Sequence, residues 1–199
     1  MRFLGTVMMA AVGASAWAAE TGEARVSSVT VCLDKGGPGV DSSAQTVASK
    51  VFGAIAVKIN WVEDGSCPAS LDAIKVTISH KTPENLVPKA LAYALPLEAT
   101  HFKGAQIAVF WDRIKRPGRS VSAPQLLAYV LVHEIVHVLQ GINRHSAAGI
   151  MKAYWNYTDY YKMALNTLRF TADDIDLIHL GLQHDQAQRV ERTSIAARQ

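Results

Sequence analysis

Apolar residues alternate with polar ones through the first half of the chain and recur at helical spacing in the second, and this change of period predicts the architecture. Val26 to Leu33 (VSSVTVCL) is rich in β-branched residues and reads as a first strand, ended by Gly36-Gly37-Pro38-Gly39. Asp41 or Ser42 is placed to cap a helix over Ser43 to Ala54, with Val47, Val51 and Ile55 on one face. Val57 to Val62 and Ala73 to Ser79 read as the next strands. Leu91 to Leu97, flanked by prolines, reads as a short edge strand, and Gln106 to Trp111 as a further apolar one.

After Pro117-Gly118 the period changes. Val121 to Gln140 carries Leu126, Leu127, Val130, Leu131, Val138 and Leu139 at helical spacing, and Gly141 follows where a residue able to take positive φ ends a helix. A last helix is expected from Asp173 to Leu182, with Thr171 and Asp174 as a capping-box analogue. The elements predict an α/β (α+β) chain: a twisted mixed sheet, a backing helix, one long central helix and a C-terminal helix.

The first residues hold Arg2, an apolar run from Phe3 to Val12, and small residues ending in Ala16-Trp17-Ala18. That is the pattern of a signal peptide over residues 1–18, with a mature chain from near Ala19 forming one domain over 19–199. An uncleaved anchor is the weaker reading, because the apolar run falls short of the ~20 residues that span a bilayer. No stable membrane insertion is expected after cleavage, and a secreted or periplasmic location follows. The two cysteines, Cys32 and Cys67, then read as one disulfide. A net charge of +3 is too weak a bias to argue for a nucleic-acid partner, and none is expected. The sequence carries no signal for oligomeric state.

The long helix contains His133-Glu134-Ile135-Val136-His137, the H-E-x-x-H pattern. Four residues make about one turn, so both imidazoles leave one face of the helix and can share an ion. Glu134 lies about 100° further round the helix, and resemblance to the zincin pattern implies that its carboxylate stands beside the metal-bound water, where it can take a proton as the water attacks a carbonyl. A catalytic zinc normally has a third protein ligand, and His145 is the natural candidate, eight residues after His137 and across Gly141. Histidines satisfied inside a partly buried helix, and a surface histidine at 145, are the alternatives without a metal. His80, His101, His179 and His184 have no supporting spacing, and no serine-nucleophile motif or phosphate loop is present.

With the glycine turn, the third histidine and Gly149-Ile150-Met151, this stretch resembles the metzincin clan of zinc peptidases. HEIVHVLQGINRHSAAGIMKAYW is also similar to a group of secreted bacterial proteins with the same histidine, glycine, His-Ser and Gly-Ile-Met order. The resemblance implies a metzincin-like fold, one catalytic Zn2+ and peptide or protein substrates. It also implies Met151 as the Met-turn residue beneath the ligand rings. In some metzincins a tyrosine just after that turn stabilises the oxyanion, which makes Tyr154 a candidate. Packing or surface roles are commoner for such a tyrosine and for Tyr157, Tyr160 and Tyr161. The spacing departs from the clan: glycine and histidine usually stand three and six residues after the second ligand, where this chain has Gln140 and Asn143.

The expected function is a secreted zinc endopeptidase with Glu134 as general base. The alternatives are a non-catalytic metal-binding envelope protein on a zincin fold, and a gluzincin-like peptidase drawing its third ligand from Asp173, Asp174 or Glu191.

Overall fold

The computed structural model describes residues 26–36, 42–63, 66–67, 73–86, 89–95, 105–116 and 120–198. The expected signal segment 1–18, the start near Ala19, the turn at Gly37-Pro38-Gly39, Asp41, residues 96–97, His101 and Pro117-Gly118 lie outside them. Five strands, β1 (Ser27–Asp34), β2 (Val57–Glu63), β3 (Ala73–Ser79), β4 (Ala92–Leu95) and β5 (Gln106–Phe110), form one sheet in the order β2-β1-β3-β5-β4. All neighbours run parallel except β4, which is antiparallel to β5 at the edge.

Side-chain alternation gives the sheet one apolar face. Val29 pairs with Ile59, Val31 with Ile74, Leu33 with Val76, Val76 with Ile107 and Ile78 with Val109, and all of these are buried. The residues between them, such as Ser28, Lys58, Lys75 and Thr77, face the other way and are exposed. Parallel sheets usually bury both faces; among the described residues, helices cover the apolar face of this one. Cys32 shares the polar side, where it is buried, and forms a disulfide with Cys67, Cα to Cα 5.7 Å.

The helices are α1 (Ser43–Gly53), α2 (Trp111–Ile114), α3 (Ala123–Gln140), α4 (Tyr157–Ala164) and α5 (Ala172–Ala196). The central one is α3, which packs on α1, β4, β5, α4 and α5. It buries 13 of its 18 residues, so it is enclosed rather than laid on a surface. Each fully buried leucine or valine there contributes about 1.5–3 kcal/mol. Ser122 is extended and Pro124 sits in the first turn, so α3 starts two residues after Val121. At its end Gly141 has φ 65° and its N–H donates to the His137 and Val138 carbonyls.

Three expectations are corrected. Trp111 begins α2 instead of ending β5. An unanticipated helix, α4, starts on a capping box formed by Asn156 and Asp159. The last helix is capped as expected by Thr171, with a full capping box to Asp174, but starts at Ala172, one residue before Asp173, and runs to Ala196 instead of Leu182. Beyond Leu182 it is largely polar and exposed, and an Arg189 to Asp185 pair one turn apart supports it.

Candidate metal centre

His133 and His137 stand one turn apart on α3, and both are buried, at 8% and 4% exposure. Their Nε2 atoms lie 3.1 Å from each other. The outer nitrogens are already engaged. His133 Nδ1 is 3.0 Å from the Ile150 carbonyl oxygen and His137 Nδ1 is 3.3 Å from that of Ile142. A carbonyl only accepts, so each Nδ1 carries the proton and each Nε2 presents a lone pair. Two lone pairs facing each other at this distance repel unless a cation stands with them. Backbone carbonyls in this role are the usual way of fixing the tautomer of a metal-binding histidine.

The turn at Gly141 sends the chain back toward α3, and residues 142–149 include no helix or strand. His145 arrives on this loop. Its ring stacks on His133 at 5.3 Å between centroids, 26° between planes, and meets His137 edge-on at 4.9 Å. The three histidines offer ring nitrogens within 4.8 Å of one another. Among the described residues no other histidine, cysteine or carboxylate joins them; Asp173, Asp174 and Glu191 do not, nor do His80, His179 and His184. The longer turn, with Gln140 and Asn143 at the positions where metzincins usually have glycine and histidine, therefore still delivers His145 to the pair.

Electrostatics agree with a site that binds cations through neutral imidazoles. Burial, reinforced by the neighbouring His137, lowers His133 to about 3, and burial lowers His137 to about 4. Desolvation shifts His145 the same way. These rings remain unprotonated at neutral pH, as metal ligands must. Burial drives Glu134 upward, to about 7. Its carboxylate is not one of the converging donors, although it follows His133 directly in the helix.

Met151 and Ile150 are fully buried in the core, and the Met151 carbonyl accepts from Ser146 N–H at 2.7 Å, which ties this turn to the His145 loop. Tyr154 is 75% exposed, so it is not a packing residue. Tyr157 and Tyr161 are also exposed, and Tyr160 packs against the core.

Several participants had no motif in the sequence. The Ile150 carbonyl accepts from Trp155 Nε1 at 3.1 Å as well as from His133, and the Trp155 ring stands edge-on to His133 at 5.4 Å. Asp174, weighed above as a competing ligand, instead accepts from Arg144 and Ser146 on either side of His145.

No protein-family model and no curated protein matches the sequence. Among solved structures the chain is similar to archaemetzincin from Methanopyrus kandleri, with a TM-score of 0.54 and 13% identity, over 80% of this chain and 98% of that one. The fold is archaemetzincin-like. At this identity the likeness speaks for the fold, and the archaemetzincin-like frame supports a three-histidine cluster of the kind that the H-E-x-x-H helix predicts.

Proposed function

We propose that the chain is a zinc-dependent endopeptidase, exported to a secreted or periplasmic location, with His133, His137 and His145 as ligands of one catalytic ion and Glu134 as general base. The observation that carries this reading is the pair of Nε2 lone pairs held 3.1 Å apart by proton-bearing Nδ1 atoms, with a third histidine against both rings. Three nitrogen donors suit zinc, and a catalytic site keeps its remaining position open where a structural one is closed. When bound, zinc supplies Lewis acidity and lowers the pKa of water.

The chain's own residues would do the rest. Glu134 accepts a proton as water attacks the scissile carbonyl, and delivers it to the amine as the C–N bond breaks. Tyr154, exposed just past the Met151 turn, is the candidate donor to the developing oxyanion. Met151, buried in the core, is the candidate Met-turn residue that would support the ligand rings. β4, an edge strand, offers backbone groups to an extended peptide by strand addition. Export is supported by the Cys32–Cys67 disulfide and the signal-like residues 1–18. Among the described residues no helix is long and apolar enough to cross a membrane.

The test is metal content together with casein hydrolysis, with and without a chelator, for wild type and Glu134→Gln. The variant should keep about one zinc and lose activity by roughly 10²–10⁴-fold. Zinc-loaded wild type that cleaves nothing would favour the non-catalytic metal-binding protein, and a fully active Glu134→Gln would remove Glu134 from the mechanism.

A further inference from the structure

The third histidine stands on a loop, and the loop is held from outside by one carboxylate. Arg144 Nη1 donates to Asp174 Oδ1 at 3.0 Å, and Ser146 Oγ donates to the same oxygen. The two chain neighbours of His145 are thus tied to a single atom. Asp174 Oδ2 accepts from Thr171 N–H at 3.1 Å, and Asp174 N–H donates to Thr171 Oγ1 at 3.2 Å, which is the capping box that starts α5. Asp174 is 0% exposed.

The same construction appears one helix earlier. Asp159 completes the capping box of α4 with Asn156, is itself buried, and accepts from Lys152, the residue after Met151. Capping requires a carboxylate only at the helix start, and an exposed one serves. Burying it and giving it partners beside the metal centre exceeds that requirement, since an anion removed from water must be fully hydrogen-bonded to be tolerated.

Resting on the zinc reading above, we infer that Asp174 is a positioning residue of the metal centre. It fixes Arg144 and Ser146, they fix His145 against His133 and His137, and the affinity for metal is set in part from α5 by a carboxylate that is not a ligand. The loop has no regular structure of its own, so the entropy of ordering it would otherwise be charged against metal binding. Groups that hydrogen-bond a metal-ligating side chain directly are worth roughly 10–100-fold in affinity, and a carboxylate acting through the ligand's chain neighbours belongs at the lower end of that range.

The experiment measures zinc affinity by competition with a chromophoric chelator, and the visible spectrum of the cobalt-substituted protein, for wild type, Asp174→Asn, Ser146→Ala, Thr171→Ala and His145→Ala. Asp174→Asn should weaken zinc by about 10-fold and shift the cobalt bands. Ser146→Ala, which leaves α5 intact, should do the same to a smaller degree. Thr171→Ala removes the other side of the capping box and should lower thermal stability with zinc affinity unchanged. Wild-type affinity and spectra in both Asp174→Asn and Ser146→Ala overturn the inference, as does a loss in Thr171→Ala equal to that in Asp174→Asn. A wild type that binds no zinc, or a His145→Ala that binds as tightly as wild type, instead overturns the metal-site reading and takes this inference with it.

Discussion

Gly181 of α5 lies directly on the backbone carbonyl of Leu139 in α3, so close that a Cβ at position 181 would fall on that oxygen. The contact fixes where the last helix crosses the metal-binding helix, two residues from His137. Gly181→Ala has to push α5 away from α3, and the opposing atoms are backbone, so they cannot swing aside. Overpacking of this kind costs about 1–3 kcal/mol. Urea unfolding should show Gly181→Ala with a lower midpoint and an unchanged slope. A variant as stable as wild type would mean that the helices separate freely here.

Much of this arrangement was legible in the sequence, for particular reasons. α3 could be read because 13 of its 18 residues are buried, most of them apolar, and its glycine stop is unambiguous. The alternation in β3 is visible because Lys75 and Thr77 are exposed and polar between the buried Ile74, Val76 and Ile78. α4 was missed because it is eight residues long and buries only Asp159 and Met163, too few to show a period. Its signal was present, in Asn156 followed three residues later by Asp159. α5 was cut short because its apolar pattern stops near Leu182 while the helix continues on polar residues. At the site, spacing identified the three histidines. The hydrogen bonds from Arg144 and Ser146 to Asp174 join residues 30 and 28 positions apart, and no local pattern records them.

The disulfide closes a loop of 35 residues that leaves the interior strand β1 and passes through α1 and β2. Chain-entropy arguments for a loop of that length give roughly 4 kcal/mol of stabilisation through the unfolded state. Cys32→Ala combined with Cys67→Ala should unfold at a markedly lower denaturant concentration, and reductant should bring wild type to the same midpoint while leaving the double variant unmoved. Equal midpoints for wild type and double variant would show that the cross-link adds nothing.

Asp174 also predicts an acid limb to stability. Burial alone would raise its pKa, but hydrogen bonds from Ser146, Thr171 and Arg144 outweigh it and hold the carboxyl below its ordinary value of 3.8. A carboxyl with a depressed folded-state pKa contributes stability that is fully present above its unfolded value and is lost as pH falls through the folded one. Asp173, beside Asp174 in the same turn and 3.9 Å from Arg144, is exposed. Wild type should therefore exceed Asp174→Asn in stability by a constant margin from neutral pH down to about 4, and the margin should shrink below that. Comparing the two proteins at each pH cancels the titration of the histidines to first order. A margin independent of pH down to 2 would show that the charge on Asp174 is not what stabilises the loop.

Trp155 should report the metal directly. Its indole shares the Ile150 carbonyl with His133 Nδ1 and stands edge-on to the His133 ring at 5.4 Å. A dication drawing electron density from that imidazole strengthens the His133 hydrogen bond to Ile150 and changes the field along the indole, so zinc should alter the emission. Cobalt should quench it by proximity of an open-shell ion. The other described tryptophans lie elsewhere, Trp61 in β2 with its Nε1–H on Ser49, and Trp111 at the start of α2. Trp155→Phe should abolish the metal-dependent change while leaving the zinc affinity within an order of magnitude, because His133 retains its own bond to the Ile150 carbonyl. Titration of wild type and Trp155→Phe with each metal, followed by emission, checks this. A quench of undiminished amplitude in Trp155→Phe would place the ion nearer another tryptophan, and therefore away from His133.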